Sequence, residues 1–178
     1  MRALIIGGSK SGKSHFAQEL AERLSSCGKK VYWATMAPVD DEDEMRIRAH
    51  LEDRKGLGFE TVECAKNVSG QPCDKSSSVL FDSVTALLAN EMFGDIIDPD
   101  APERTAKEIM ELSRRVKNFV CVCDDIFRDG EEYDPLTEAY RKGLAAICNT
   151  LACEFDTVIE VVAGIPTVRK GDRNEGCL

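Results

Sequence analysis

The sequence predicts an α/β fold in which a mostly parallel sheet carries helices on both faces. Short, almost continuously apolar runs alternate with segments of helical periodicity, and glycine or polar residues follow most of these runs. Strands of a parallel sheet are buried on both sides, so they read as unbroken apolar runs. A chain of 178 residues, 43% of them hydrophobic, suits one compact unit, and we expect a single domain over residues 1–178.

The strands are predicted from runs rich in β-branched, aromatic and aliphatic residues. In chain order they are Arg2–Gly8 (RALIIGG), Lys29–Met36 (KKVYWATM), Gly58–Cys64 (GFETVEC), Ser77–Val84 (SSVLFDSV), Phe119–Ile126 (FVCVCDDI) and Asp156–Pro166 (DTVIEVVAGIP). The last of these is expected to close the sheet. The tail that follows it, TVRKGDRNEGCL, shows no pattern that indicates a function.

The helices are predicted where apolar residues recur every three or four positions. The last one shows this most clearly, since Leu136, Tyr140 and Leu144 fall on one face. The predicted helices are Lys13–Ser26, Asp41–Arg54, Thr85–Phe93, Glu103–Lys117 and Pro135–Cys153.

Composition excludes several classes of protein. The net charge of −9 and the pI near 4.8 argue against a nucleic-acid partner, which needs a basic face. No apolar stretch approaches the ~20 residues of a membrane span, and the start MRALIIGG lacks the pattern of a signal peptide. Eight cysteines without C-x-x-C spacing, beside only two histidines, indicate free thiols in a reducing cytoplasm rather than a zinc site.

The segment GGSKSGKS matches G-x-x-x-x-G-K-[ST] between a predicted strand and a predicted helix. Backbone N–H groups of such a loop surround phosphate oxygens, its lysine reaches the β- and γ-phosphates, and its last hydroxyl can bind Mg²⁺. The alternative is a glycine turn without a ligand. The motif predicts a P-loop NTPase-type three-layer sandwich, with Lys13 as a catalytic residue, Ser14 as a metal ligand, and a nucleotide site made of Gly7, Gly8, Ser9, Lys10, Ser11, Gly12, Lys13 and Ser14.

Asp82 ends the apolar run SSVLFD. Proteins with a phosphate-binding loop place a Mg²⁺-associated carboxylate at the end of such a strand. We therefore predict that Asp82 binds the metal and the nucleotide. The alternative is an ordinary polar residue that closes a strand.

His50 lies in the basic segment MRIRAHLEDR. If this segment is helical, Arg46, His50 and Arg54 share one face at i, i+4 and i+8. Neighbouring guanidinium groups disfavour protonation of the imidazole, which could then attack phosphorus. The alternative is a solvated, charged helix with an incidental histidine. His15, which follows the loop, fits a surface or packing role as well as a place near phosphate.

Several motifs in order resemble the bifunctional adenosylcobinamide kinase/adenosylcobinamide-phosphate guanylyltransferase family of cobalamin biosynthesis. The resemblance runs from Ala3 to about Pro166. It rests on LIIGGSKSGKS, on VYWAT, on RIRAH followed by an arginine four residues on, on FETVE, on LFDSVTALLAN, on AYRKGLAAICNTLA and on VVAGIP.

The resemblance implies that His50 is the nucleophile that becomes guanylylated. It further implies that the nucleotide site includes the threonine that ends VYWAT, the segment after the histidine, and the glutamate of FETVE, namely Thr35, Leu51, Glu52, Asp53, Arg54 and Glu63. The implied reactions are phosphorylation of adenosylcobinamide and transfer of GMP from GTP to that phosphate, with ATP, GTP and Mg²⁺ required. The family also implies a homo-oligomer, a trimer with sites between subunits.

The segment CDDIF departs from the family pattern [ST]-N-E-V-G: Asp124 and Asp125 replace an asparagine and a glutamate, Ile126 replaces a valine, and Phe127 replaces a glycine. This change bears on the kinase activity and on corrinoid specificity. Other functions that fit the sequence are a small-molecule kinase without a guanylylated histidine, and a paralogue that binds nucleotide without catalysis. A GTP-binding switch is disfavoured, since the guanine-reading motif N-K-x-D does not occur.

Overall fold

The computed structural model describes most of the chain, namely residues 1–25, 28–38, 45, 48, 52, 54–94 and 96–172. Within these residues the predicted α/β architecture is confirmed. No helix among them is both long enough and apolar enough to cross a membrane.

Seven strands form one sheet with the order β3-β2-β4-β5-β1-β6-β7. All neighbouring strands pair in parallel except β6 and β7, which are antiparallel. The strands are β1 (Arg2–Gly7), β2 (Lys30–Ala34), β3 (Phe59–Glu63), β4 (Ser78–Asp82), β5 (Asn118–Asp124), β6 (Thr157–Val162) and β7 (Ile165–Lys170). The strand that precedes the glycine loop, β1, therefore lies between β5 and β6.

Helices cover both faces of this sheet. One face packs against α1 (Lys13–Leu24), whose Phe16 and Leu20 lie with Ile5 in one apolar cluster. The opposite face packs against three helices, which enclose a larger core with Phe81 and Phe119 at its centre. These helices are α2 (Val84–Met92), α3 (Ala101–Arg115) and α4 (Pro135–Glu154); a short 3₁₀ turn spans Val68–Gly70.

The predicted last strand is wrong in one respect. The run DTVIEVVAGIP does not continue to Pro166, because β6 ends at Val162 and the chain reverses at once. Ala163 and Gly164 both have positive φ angles, 50° and 78°, as a two-residue hairpin turn requires. The residues after the turn, which showed no pattern in the sequence, form the antiparallel strand β7 along the edge of the sheet.

The predicted helix over Asp41–Arg54 falls largely outside the described residues. Met45, Arg48 and Glu52 are described there; all three are helical and exposed. Arg54 lies in the turn that follows and is buried.

Candidate active site at the glycine loop

The loop between β1 and α1 has the backbone that its glycines allow. Gly7 is packed so closely that a Cβ there would lie 2.5 Å from the Ser11 Oγ and 2.6 Å from the Val161 carbonyl oxygen. Gly12 has a φ of 89°, in the left-handed region that side chains disfavour. The loop can therefore curve toward the N-terminus of α1 only because these two positions are glycine.

The start of α1 provides a phosphate-binding environment. Lys13 is its first residue and Ser14 its second, so the unpaired N–H groups of the first turn point toward the loop. Together with the helix dipole, these groups favour an anion at this position. The described geometry therefore has the parts that the motif predicts for a phosphate-binding loop.

The Lys13 ammonium is held by an acid of the neighbouring strand. Its Nζ lies 2.8 Å from the Asp124 Oδ1 and donates a second bond to the Gly8 carbonyl, at 3.3 Å. The Lys13 side chain is 11% exposed and that of Asp124 is 30% exposed. This pairing follows from strand order, since Gly7 at the end of β1 is in register with Asp124 at the end of β5.

Two hydrogen bonds fix the position of Asp124. Its own N–H donates to the Thr85 hydroxyl at 2.9 Å, and the N–H of Asp125 donates to the Gly7 carbonyl at 2.9 Å. The first bond ties β5 to the start of α2, and the second ties it to the glycine loop. The Asp124 backbone is therefore anchored on both sides.

The β6–β7 hairpin supports the other side of the loop. The Gly164 N–H donates to the Ser11 carbonyl at 2.8 Å, and a Cβ on Gly12 would lie 3.2 Å from the Gly164 Cα. This contact joins two segments about 150 residues apart in the chain. The hairpin turn therefore supports the phosphate-binding loop from outside.

Asp82 lies on the same face of the sheet but in different surroundings. Its carboxylate accepts a bond of 3.4 Å from the Tyr32 hydroxyl, and the Arg54 guanidinium carbon lies 3.3 Å from the centre of the Tyr32 ring. Burial, with the Asp82 charge as a second cause, raises the pKa of Tyr32 far above its usual range, so the phenol stays neutral. Asp82 is in register with Val122, and Val122 with Ile5. It is therefore two strands and two residues away from Gly7.

An open cleft of about 470 Å³ adjoins the loop. Three carboxylates lie in its walls and each is paired with a cation: Asp124 with Lys13 at 2.8 Å, Asp125 with Arg128 at 3.0 Å, and Asp129 with Arg141 at 3.6 Å. Tyrosine and isoleucine side chains supply the apolar wall. The lining residues are Ser9, Thr85, Asp124, Asp125, Ile126, Asp129, Tyr133, Thr137, Tyr140 and Arg141.

Thr35 and Glu63, two of the predicted nucleotide-binding residues, lie apart from the loop. Glu63 ends the edge strand β3, four strand spacings from β1, or about 19 Å. Thr35 is fully buried; its hydroxyl donates to the Ser83 carbonyl and accepts from the Ser83 N–H, both at 2.7 Å. Glu52 is helical and exposed, and Arg54 packs on Tyr32. The predicted residues His50, Leu51 and Asp53 lie outside the described residues.

The donor set near the loop suits Mg²⁺ bound with a nucleotide. Ser14 at the start of α1 and Asp124 beside Lys13 offer a hydroxyl and a carboxylate, the hard oxygen ligands that Mg²⁺ prefers, and Asp82 offers a second carboxylate two strands from β1. The described part of the chain contains no group of three or more His, Cys, Asp or Glu residues that could hold a metal without a nucleotide. A nucleotide-bound Mg²⁺ needs only one or two protein carboxylates, because phosphates and waters complete its shell.

Sequence reasoning singled out Asp124 only as a departure from the family pattern, not as the partner of Lys13, and it missed Thr85 and Gly164 as parts of this site. Asp124 had a usable signal, since it ends an apolar run in the same way as Asp82. Thr85 and Gly164 had none, because their contacts depend on strand order and on a hairpin that spacing did not reveal.

Comparison with known proteins identifies the family. Residues 3–168 match the family model described as cobinamide kinase / cobinamide phosphate guanyltransferase. The chain belongs to this family. The proteins named bifunctional adenosylcobalamin biosynthesis protein CobU are similar to it. The one from Salmonella typhimurium is 26% identical, covering 93% of this chain and 97% of that protein. The one from Escherichia coli is 28% identical, covering 69% and 68%.

A solved structure supports the fold assignment. A Pyrococcus horikoshii protein known from a structural study aligns with a TM-score of 0.56 at 11% identity, covering 98% of this chain and 88% of the other. This likeness concerns the fold alone. The α/β three-layer architecture predicted for the chain is confirmed.

Proposed function

We propose that the protein is an adenosylcobinamide kinase and adenosylcobinamide-phosphate guanylyltransferase. The observation that carries the proposal is the family match across residues 3–168. The described loop adds support, because Lys13 and the N-terminus of α1 suit a nucleoside triphosphate. The substrates are ATP or GTP and a corrinoid alcohol.

In the kinase reaction, the loop binds the triphosphate and the cleft beside it admits the acceptor. The hydroxyl oxygen of the corrinoid side chain attacks the γ-phosphorus, the bond from that phosphorus to the nucleoside diphosphate breaks, and the hydroxyl proton leaves to solvent or a carboxylate. Lys13 stabilises the charge that develops on the phosphates. Mg²⁺, when bound, neutralises phosphate charge, and Ser14 and Asp82 are the residues we expect to hold it.

The charges in the cleft walls are largely balanced, because Asp125 pairs with Arg128 at 3.0 Å and Asp129 with Arg141 at 3.6 Å. Walls of this kind suit an acceptor with polar groups and a small net charge. The apolar parts of Tyr133 and Tyr140 suit the hydrocarbon portion of such an acceptor.

In the guanylyl transfer, His50 is the proposed nucleophile. Its ring nitrogen attacks the α-phosphorus of GTP, and the bond to the β-phosphate oxygen breaks, releasing pyrophosphate. A phosphate oxygen of the corrinoid phosphate then attacks the same phosphorus, and the N–P bond breaks to free the imidazole. Covalent catalysis of this kind divides one difficult displacement into two easier ones.

The distance between the predicted residues is consistent with two separate nucleotide positions. Glu63 ends β3, about 19 Å from β1 by strand spacing. A single nucleotide with its reacting phosphate at Lys13 and its base at Glu63 would have to extend across this whole distance. We therefore assign the loop to phosphoryl transfer and the end of β3, at Glu63, to binding of the guanylyl donor.

The test is covalent labelling with GTP that carries ³²P at the α-phosphate. We expect acid-labile, alkali-stable label on the wild-type protein after denaturation, and none on His50→Ala. His15→Ala is the matched control, since His15 is the chain's other histidine and its side chain is 75% exposed. Label that survives in His50→Ala, or no label while GTP still binds, would contradict the guanylyl-histidine mechanism and favour a kinase alone.

A further inference from the structure

Lys13 is engaged before any nucleotide arrives. Its ammonium is 2.8 Å from the Asp124 carboxylate and is largely buried there. The same ammonium is the group that a phosphate-binding loop presents to the β- and γ-phosphates. Binding of a nucleotide therefore competes with the Lys13–Asp124 ion pair.

Asp124 is poorly placed to follow Lys13 toward the phosphates. Hydrogen bonds on the Asp124 and Asp125 N–H groups tie it to Thr85 and Gly7. If Lys13 moved alone, Asp124 would remain beside a polyphosphate as an anion without a counter-ion. Leaving a partly buried charge unpaired is costly, so a second cation is required.

We propose that Asp124 exchanges Lys13 for the divalent cation of the bound nucleotide, and is therefore a metal-binding residue of the loop. Its carboxylate is 30% exposed, lines the cleft beside Ser9, and belongs to the strand adjacent to β1. Asp82 lies one strand further away and already accepts the Tyr32 hydroxyl. The inference rests on the proposed function only in that a nucleoside triphosphate binds the loop.

This exchange couples metal binding to nucleotide binding. Without the metal, Asp124 holds Lys13 and repels the phosphates, so affinity is low. With the metal, the same carboxylate attracts the complex. The ratio of the two dissociation constants, without and with Mg²⁺, measures this coupling, and Asp124 is expected to account for a large share of it.

The experiment measures that ratio with the α,β-methylene analogue of GTP, whose P–C–P bond prevents guanylylation. Dissociation constants are determined by calorimetry in excess EDTA and in Mg²⁺, for wild type and Asp124→Asn. We expect the variant to bind metal-free analogue about tenfold more tightly and the Mg²⁺ complex about tenfold more weakly, which lowers the ratio about 100-fold. With Mn²⁺ in place of Mg²⁺, the EPR spectrum of the bound ion should change in the variant.

Two further variants make the result decisive. Asp129→Asn removes a cleft carboxylate that is not paired with Lys13, and Asp82→Asn removes the carboxylate that sequence reasoning assigns to the metal. The proposal is supported if the ratio falls far more in Asp124→Asn than in Asp129→Asn, and Asp82→Asn shows what share of the metal effect belongs to the second carboxylate. It is overturned if Asp124→Asn leaves the ratio unchanged, or if Asp129→Asn lowers it as much. Absence of any nucleotide binding by the wild type would instead contradict the proposed function itself.

Discussion

The carboxylates that end β4 and β5 lie on one face of the sheet but have different partners. Asp124 pairs with Lys13, a cation that a ligand can draw away. Asp82 is bonded to the neutral phenol of Tyr32, whose ring is covered by the buried Arg54. A nucleotide would compete for the partner of Asp124, whereas Asp82 is held beside the packed Tyr32 ring. Two acids at the ends of neighbouring strands therefore have different surroundings, and we expect nucleotide binding to affect Asp124 more strongly.

The largest effect should come from damage to the close packing of Gly7 against β6. Gly7→Ala forces a Cβ against a backbone carbonyl at 2.6 Å, which cannot move without shifting β6. We expect a loss of about 3 kcal/mol in the free energy of unfolding, measured with urea. Gly8→Ala is the matched control, since a Cβ there meets no atom within 4 Å, and it should change stability by less than about 0.5 kcal/mol. Equal losses in both variants would mean that the close packing at Gly7 is not what supports the loop.

The difference between the surroundings of Asp82 and Asp124 is tested by replacing the cation near each of them, Arg54 or Lys13, with methionine. Arg54→Met should cost about 2 kcal/mol of stability, because the guanidinium stack on Tyr32 is buried. Lys13→Met should cost less, about 1 kcal/mol, because without a nucleotide the Asp124 carboxylate, which is 30% exposed, faces water rather than a polyphosphate.

The same two variants should rank in the opposite order for nucleotide affinity, with Lys13→Met losing about 100-fold. Urea unfolding and calorimetric titration give the two readouts. If Arg54→Met lost affinity as strongly as Lys13→Met and kept full stability, Arg54 would be a nucleotide ligand, as the family resemblance implies, and our distinction would be wrong.

A smaller, pH-dependent effect is expected at Glu160, which anchors the segment after Asp125. Its side chain contacts Arg169 at 2.5 Å and Arg128 at 2.8 Å, and Arg128 also contacts Asp125 at 3.0 Å. The hydrogen bond from Arg169 is the main cause that lowers the pKa of Glu160. A lowered pKa stabilises the fold above the unfolded value of about 4.3, and this contribution is lost as pH falls through the folded value.

Glu160→Gln should therefore cost about 1–2 kcal/mol at pH 7, with the difference from wild type shrinking below pH 4. Urea unfolding across pH 3 to 7 measures this. Glu111→Gln, an exposed change on α3, is the control and should cost less than about 0.5 kcal/mol at pH 7. A difference that stayed constant down to pH 3 would show that the charge of Glu160 is not responsible.

The sequence predicted the layers and the loop well because both depend on local signals. Apolar runs mark buried parallel strands, and the motif around Lys13 sits between a strand and a helix. The partner of Lys13 could not be predicted, since it depends on β5 lying next to β1, which is a matter of strand order. Strand β7 was missed because its edge position lets polar residues such as Arg169 and Lys170 replace the apolar signal.

The contact between Gly164 and Ser11 has a consequence during protein synthesis. The loop near the start of the chain is supported by a turn made about 150 residues later, so a nascent chain lacks this support until the hairpin leaves the ribosome. Contacts of such high sequence separation also form late, since closing a long loop costs entropy before any contact rewards it. We therefore expect a nascent chain to bind nucleotide only after the hairpin has been synthesised, and we expect fragments that end before the hairpin not to bind it.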